Sequence, residues 1–579
     1  MELALIDILI IISYLIITLL IGIYSSRKSS LNTESYFLAG RNMPWWLLGV
    51  SMVATTFSAD TPNLVTGIVR ENGVSGNWVW WAFLISGMLT VFIYSKLWKR
   101  SGILTDIEFY ELRYSGKAAA FLRGFRAIYL GLIFNVLVMG SVSLAAIKFS
   151  EIVLGIPGWI AIIVGCTITL IYSALGGLKA VIITDFIQFT LAMIGSVWAM
   201  FYLLGLEQIS GLSNLIKHEI VISKLNFFPD FSNPNIWVPL FFVPLSVQWW
   251  ASYYPGSEPG GGGYIVQRML SAKDEKNALG ATFLFNLFHY ALRPWPWIVI
   301  ALCSLVIYPE LNDIKTTFPK ISINRINHDI AYPAMLALLP KGLLGLVSIS
   351  LIAAFMSTMS TQVNLGASYL VNDFYKRFIY PKASEKELVK VGKIFSIISI
   401  GLGGGLGLFL TSASQAFNLL LMIGSGTGLI YILRWFWWRV NAYTEIVAMI
   451  SSLIIAFYFN FINIEFDNWQ KIIIGTLITT FTWILATYLT PPEDIGVLKK
   501  FVKKINPGGP GWKRISKSNI VKNRSIENGI LNMILGCVSI YSLLFGVGSI
   551  IYRSYLLGAI LFMVSCFVGY ILKDRLNEK

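Results

Sequence analysis

The chain has 579 residues, of which 56% are hydrophobic and only 13% charged, and its mean hydropathy is +0.68. This composition excludes an ordinary soluble domain and indicates an all-α, polytopic membrane protein. The formal net charge of +15 comes from basic residues that are grouped between apolar runs. The charge therefore reports membrane topology, and we expect no nucleic-acid partner.

Apolar runs long enough to cross a bilayer, roughly 20 residues each, occur along the whole chain. They predict about fifteen transmembrane helices, near 5–24, 45–69, 78–97, 121–152, 157–175, 180–206, 236–266, 277–307, 341–371, 392–411, 415–437, 440–462, 470–490, 529–550 and 554–573. The first run is followed by Arg27 and Lys28, which is the reverse of the charge order in a secretory signal. We therefore expect it to stay in the protein as a membrane span.

Lys and Arg alternate between the connections that join these runs. They cluster in 25–44, 96–126, 268–276, 376–393 and 491–528, and they are scarce in 70–77, 153–157 and 412–414. Because cytoplasmic loops carry the excess of Lys and Arg, the pattern predicts an N-terminus outside and a C-terminus in the cytoplasm. We expect a multi-pass protein of the cytoplasmic (inner) membrane.

Two of the predicted spans are interrupted near their middle. Residues 51–62 contain several hydroxyls, Asp60 and Pro62, and we expect Ser58, Asp60 or Thr61 to cap a second half-helix there. Residues 254–263 contain Pro and a Gly run, and these cost roughly 3 and 1 kcal/mol per interior helical position. Paired breaks five helices apart are typical of inverted-repeat transporters, whose sites use the freed backbone groups.

A cluster of hydroxyls lies within the run 341–371. Ser357, Thr358, Ser360 and Thr361 are close together, and the first, third and fourth share one helical face. Hydrocarbon offers these groups no partner, so the cluster indicates an ion pathway. The alternative is that each hydroxyl bonds the carbonyl of its own helix or permits close packing.

Three segments resemble a known family, namely Tyr36 to Trp46, Ala174 to Gln188, and Ala353 to Asn364 with its continuation to Tyr375. They resemble the sodium/solute symporter family, which includes bacterial sodium/galactose, sodium/proline and sialic-acid carriers. The resemblance covers roughly residues 5–445. It implies the LeuT-type fold, in which two five-helix repeats are inverted relative to each other.

The resemblance also implies a domain organisation. Residues 1–30 would form a leading helix, and 31–439 a ten-helix transport core with repeats at about 45–206 and 236–437. Residues 440–579 would hold about four trailing helices and a basic cytoplasmic loop at 491–528.

Carried over residue by residue, the resemblance implies two sodium sites. The main site would use the backbone carbonyls of Ala54, Phe57 and Ala354 with the hydroxyls of Ser357 and Thr358. A second site would use Asp185, Ser360 and Thr361. Oxygen ligands suit a hard cation such as Na⁺. For Asp185, an acid placed near a helix start and favoured by the helix dipole is the alternative interpretation.

The solute is not identified by the sequence. Candidate solute residues lie at the two breaks or near pocket positions of the family, and they are Asp60, Thr61, Trp80, Asn135, Tyr254, Glu258, His289, Arg293 and Gln415. Gln267-Arg268 matches a pair in the sugar carriers, but the Gly260–Gly263 run before it is an insertion. For Arg293, the alternatives are pairing with Glu258 or Asp60, binding a solute carboxylate, or snorkelling to an interface.

The resemblance implies a sodium-coupled symporter that imports a small polar organic solute, such as a sugar, polyol, amino acid or carboxylate, with one or two co-transported sodium ions. We expect it to work as a monomer in the lipid bilayer. A proton-coupled or sodium-independent carrier and a non-transporting sensor with this fold remain alternatives. An intramembrane enzyme is disfavoured because no HExxH, GxSxG or P-loop motif is present.

Overall fold

The computed structural model describes residues 4–29, 32–251, 259–319, 321, 326–410, 426–461, 466–515 and 525–577. Within these ranges, eleven helices are long and apolar enough to cross a membrane, and two shorter apolar helices accompany them. This number is compatible with the predicted count of about fifteen, because the helix breaks divide some spans into short pieces and 411–425 lie outside the described residues.

The helices of the first half follow the predicted spans closely. They are α1 Leu5–Ser29, α2 Trp45–Phe57, α3 Thr61–Asn72, α4 Val74–Ser101, α5 Gly116–Leu154 and α6 Gly158–Leu204. α2 and α3 are the two halves of the first interrupted span. The break predicted within 51–62 is therefore present, at residues 58–60.

The second half also contains an interrupted pair of helices. Its helices are α7 234–248, α8 Gly263–Ser271, α9 Glu275–Ile307, α10 Leu343–Ile379, α11 Glu385–Phe409 and α12 426–436. α7 and α8 flank the second predicted break, of which residues 252–258 lie outside the described residues. Gly260, Gly261 and Gly263 have positive φ values, which explains why glycine is suited to the start of α8.

The two predicted spans 157–175 and 180–206 are the two halves of α6, which meet at a sharp kink. At the kink, Gly177 has φ 57° and ψ −161°, a conformation that is essentially restricted to glycine. A Cβ at this position would lie 2.7 Å from Tyr36 O, so the chain before α2 also requires glycine here. α6 packs against α2 and α10.

α10 is the central helix of the molecule. In its most apolar window 89% of the residues are buried inside the protein, whereas the corresponding share for α1 is 22%. α10 packs against α6, α11, α1 and α2. The hydroxyl cluster of α10 is therefore enclosed by protein and does not face lipid.

The trailing helices are α13 Ala442–Phe461, α14 Asn468–Leu489, α15 Ile495–Ile505, α16 Ser525–Ile551 and α17 Tyr555–Asn577. α16 and α17 pack together, and Tyr541 on α16 donates a hydrogen bond to Trp81 O on α4 at 2.8 Å. α15 is amphipathic: Leu498 and Phe501 are buried, and its lysines are exposed. The division into a core and a trailing part stays a prediction.

Candidate functional site

The site is built around the break between α2 and α3. α2 ends at Phe57, and Ser58 has φ 14° and ψ 145°, which are not helical values. The last carbonyl groups of α2 therefore lack intrahelical N–H partners and can act as ligands. Asp60, one of the three residues expected to cap the second half-helix, occupies the N-cap position of α3, but its side chain makes no capping hydrogen bond. Thr61 Oγ1 donates instead to Thr56 O at 3.1 Å.

The end of α2 meets the hydroxyl cluster of α10 through Thr358. Thr358 Oγ1 lies 2.9 Å from Thr55 O and 3.2 Å from Ala354 O, so one hydroxyl joins the two helices. The predicted ligands Ala54 and Phe57 lie in the same last turn of α2 and are buried. The structure thus brings together the two elements that carry all five residues of the predicted main sodium site.

Asp185 lies in the protein interior, between α2 and α10. Its Oδ1 accepts a hydrogen bond from Ser357 Oγ at 2.6 Å, and its Oδ2 accepts one from Ser51 Oγ at 2.5 Å. These two hydroxyls belong to other helices, and Arg268 Nη2 on α8 lies 3.5 Å from Oδ2, which does not fit an acid that only stabilises a helix start. Ser357 is consequently shared between the predicted main site and the predicted second site.

The other two residues of the predicted second site behave differently from each other. Thr361 Oγ1 lies 3.1 Å from Thr55 Oγ1 and accepts a hydrogen bond from Arg268 Nη2 at 2.8 Å. Ser360 Oγ donates to Ser357 O at 3.0 Å, which is the own-helix bonding that the sequence left open. The structure therefore places Thr361 close to Asp185, while the Ser360 hydroxyl is directed to its own backbone.

Three polar residues of this region were not assigned to an ion site from the sequence: Ser51, Thr55 and Arg268. Ser51 and Thr55 are one helical turn apart, so their shared face on α2 could have been recognised from the i, i+4 spacing. Arg268 was noticed in its Gln-Arg pair, but nothing in the sequence indicates that α8 directs it towards α6 and α10.

Several predicted solute residues gather on the α9 side of the break, around Thr56. Its Oγ1 lies 3.2 Å from His289 Nδ1 and accepts a hydrogen bond from Arg293 Nη1 at 2.9 Å. The Trp80 ring lies edge-on to His289, with 5.8 Å between ring centroids. Arg293 is 2% exposed and its guanidinium lies 5.4 Å from the Trp297 ring centroid, so the snorkelling alternative is wrong.

Asp60 and Asn135 lie elsewhere. Asn135 Nδ2 donates to Gln362 O on α10 at 2.7 Å, so this amide ties α5 to α10. Asp60 Oδ2 lies 3.5 Å from Ser141 Oγ on α5. Of the other predicted solute residues, Tyr254, Glu258 and Gln415 lie outside the described residues.

Asp60 also lines a small cavity of about 70 Å³ between α3 and α5. The cavity is rich in charged and polar side chains, among them Asp60, Asn63, Glu71, Lys148, His328 and Asp329. Lys148 Nζ and Asp329 Oδ2 are 2.9 Å apart and form an ion pair across it. The cavity therefore brings charged and polar side chains next to the helix break.

Comparison with known proteins agrees with this geometry. The family model described as "Sodium:solute symporter family" matches residues 36–452. The chain is 26% identical over 564 residues to the sodium/glucose cotransporter of Vibrio parahaemolyticus, covering 93% of this chain and 98% of that protein. It is also 26% identical over 490 residues to the sodium/mannose cotransporter SLC5A10 of Bos taurus, covering 78% of each.

Among solved structures, the substrate-bound, outward-open Na⁺-coupled sialic acid symporter superimposes with a TM-score of 0.68. The match covers 85% of this chain and 99% of that chain, at 21% sequence identity. The superposition shows that the two proteins share the LeuT-type fold.

Proposed function

The chain belongs to the sodium:solute symporter family, and from this premise we propose that it imports a small polar organic solute with two sodium ions per cycle. Its family is one of sodium-coupled transporters and not of enzymes. The protein is therefore a multi-pass membrane carrier in which Na⁺ is co-transported with a small molecule. The solute class, the number of ions and the residues that bind them are the proposal.

The observation that carries the proposal is the contact of Thr358 with the broken end of α2. Thr358 Oγ1 lies 2.9 Å from Thr55 O, beside the predicted ligand residues Ala54 and Phe57 at the end of α2, so several oxygen atoms are clustered there. Such a set favours a monovalent cation over a transition metal, which prefers nitrogen or sulfur ligands. A sodium ion bound here would hold the two helices together and so favour one conformation of the carrier.

Two ions would supply ample energy for uptake. One charge moving through 100 mV gains about 2.3 kcal/mol, and a tenfold sodium gradient adds roughly 1.4 kcal/mol. Each ion then contributes ~3.7 kcal/mol, and two ions could sustain a solute ratio of about 10⁵.

We propose that the solute binds next to the break between α2 and α3, with contacts on both sides of it. Asp60 and the polar cavity would accept hydrogen bonds from solute hydroxyl or amino groups, and His289 and Arg293 would donate to hydroxyl or carboxylate oxygens. Sugars and polyols are the first solutes to test, since two of the relatives are named for glucose and mannose. Amino acids and carboxylates are the next classes.

Topology is part of the same proposal. The carrier would lie in the cytoplasmic membrane as a functional monomer, with its N-terminus outside and its C-terminus in the cytoplasm, as the distribution of basic residues predicts.

The experiment that identifies the solute is a thermal-shift screen of the purified protein in sodium chloride and in choline chloride. A ligand at 100 times its Kd adds about 2.7 kcal/mol to the unfolding free energy. We expect a sugar, polyol, amino acid or carboxylate to raise the Tm in sodium only. Equal shifts in the two salts would contradict sodium coupling of that solute and favour proton coupling.

The site itself is tested by uptake into proteoliposomes. We expect Ser357→Ala and Thr358→Ala each to lower sodium-driven uptake at least tenfold at limiting sodium, because each removes an ion ligand. Ser348→Ala is the matched control, since Ser348 Oγ donates to Leu344 O of the same helix, at 2.6 Å. Full activity of both site variants would disprove the assignment of the main site.

A further inference from the structure

Arg268 on α8 is fully buried, and it reaches into the proposed second sodium site. Its Nη2 donates to Thr361 Oγ1 at 2.8 Å and lies 3.5 Å from Asp185 Oδ2. Its Nε donates to Ser51 Oγ at 3.1 Å, and Ser51 in turn bonds Asp185. One guanidinium therefore contacts the acid and one hydroxyl of the set that was predicted to bind the ion.

We propose that Arg268 is a tethered cation that exchanges with the second sodium ion: it neutralises Asp185 when the ion has left, and it withdraws when the ion binds. This inference rests on the proposed second site and adds to it a residue that determines how the ion is released. It assigns to Arg268 a role in the transport cycle and not only in packing.

The exchange follows from electrostatics. A carboxylate that is fully buried and unpaired is strongly destabilised in a low-dielectric interior. Once the ion had left the second site, Asp185 would be such a buried, unpaired carboxylate. The guanidinium removes this penalty, because it brings both a positive charge and hydrogen-bond donors to the same oxygen atoms.

The same geometry prevents simultaneous occupancy. The oxygen ligands of a hard cation lie within about 2.6 Å of it. An ion bound to Asp185 and Thr361 would therefore approach the guanidinium, which already lies within hydrogen-bond distance of Thr361. Two positive charges at such a distance repel each other strongly inside a protein. Binding of the ion consequently requires Arg268 to move away.

The position of Arg268 on a short helix allows it to move away from the site. Asp185 and Thr361 lie on the long helices α6 and α10, whereas Arg268 lies on the nine-residue helix α8. α8 begins at the last residue of the Gly260–Gly263 run, in which three glycines have positive φ. Broken helices shift relative to the rest of the core during alternating access, so Arg268 can approach and leave a site whose other members stay in place.

Neighbouring groups are ready to receive the guanidinium. Nη1 already donates to Gln267 Oε1 at 3.1 Å, and the guanidinium carbon lies 5.9 Å from the Tyr264 ring centroid. An arginine that moved by a few ångströms would keep a hydrogen bond and a ring contact on its own helix. The displaced charge therefore does not become isolated.

The test compares Arg268→Met with Arg268→Lys in the full-length protein. Sodium is titrated with and without saturating solute, and binding is followed by tryptophan fluorescence. Because Met removes the competing charge, we expect sodium to bind to the second site at least tenfold more tightly, with slower net uptake and preserved solute exchange. Lys keeps the charge and should restore the wild-type sodium affinity and much of the net uptake.

Two results would contradict separate parts of the proposal, namely the role of Arg268 and the second sodium site itself. If the wild type shows two sodium ions and folded Arg268→Met binds them no more tightly, the exchange role of Arg268 is wrong. If the wild type binds one ion and Asp185→Asn leaves that ion's affinity unchanged, the second site itself is wrong, and with it the two-ion proposal. If Arg268→Met does not fold, the double variant Asp185→Asn/Arg268→Met removes both charges, and it must then fold and have lost the second ion.

Discussion

Gly177 shows how one residue without a side chain sets the geometry of the ion site. Its φ of 57° and ψ of −161° bend α6 eight residues before Asp185, and a Cβ would lie 2.7 Å from Tyr36 O. Because an L-residue is strained in this conformation, we expect Gly177→Ala to lower the unfolding free energy by about 1–3 kcal/mol. The measurement is urea unfolding in detergent, followed by tryptophan fluorescence.

The matched control for this prediction is Gly401→Ala. Gly401 is an ordinary helical residue of α11, and among the residues that the structure describes none lies within 4 Å of a Cβ built there. The control should be neutral or slightly stabilising, since alanine favours helix over glycine. Equal stability of the two variants would mean that the kink at Gly177 is not strained by a side chain.

At the scale of elements, a charge network joins the ends of α5 and α10 that lie away from the Lys148–Asp329 pair. Arg123 contacts Asp373 at 2.7 Å and Glu111 at 2.7 Å, and the Asp373 side chain is fully buried. Arg123→Met would leave that carboxylate without its arginine, so we expect a loss of about 3–5 kcal/mol in unfolding free energy. Denaturant unfolding in detergent measures it.

Arg377 offers a control on the same acid. It pairs with Glu111 at 2.9 Å, but its side chain is 46% exposed. An exposed pair contributes only about 0–1 kcal/mol, so Arg377→Met should be nearly neutral. If both variants lose the same unfolding free energy, the loss does not come from leaving the buried Asp373 unpaired. It then comes from removing a partner of Glu111.

Acid should weaken this network at Glu111, which lies outside the spans. Burial raises the pKa of Glu111, but hydrogen bonds from Arg377 and Arg123 outweigh it and hold the pKa below its ordinary value of 4.5. A carboxyl with a lowered pKa contributes stability that is full above its ordinary pKa and is lost as the pH falls through the lowered one. We therefore expect Glu111→Gln to lower stability at pH 7, and we expect this effect to disappear as the pH falls through the lowered pKa of Glu111.

At the scale of the whole molecule, the alternation of basic connections predicts which surface faces the cytoplasm. Single cysteines in a cysteine-free variant test it with a membrane-impermeant maleimide on intact cells. Lys503→Cys on the exposed face of α15 should react only after permeabilisation, and Lys217→Cys, in the connection after α6, should react without it. The reverse pattern would invert the whole topology.

The sequence by itself was enough to predict the membrane class, most of the helix bounds, both interruptions and the hydroxyl cluster on α10. These features follow from local chemistry, since hydropathy, Gly and Pro content and helical spacing act within one segment. From the sequence, the site was predicted as two separate sets of ion ligands. Local chemistry within one segment could not test which residue belongs to which set.

Only the tertiary structure decided how the segments meet. It joins the two ligand sets through Ser357, turns the Ser360 hydroxyl to its own backbone, and brings Ser51 and Arg268 to Asp185. Helical spacing determines which residues share a face, but the partner of that face depends on the packing of helices that are distant in sequence. In the protein interior that packing also determines whether a buried carboxylate is paired with an arginine or with an ion.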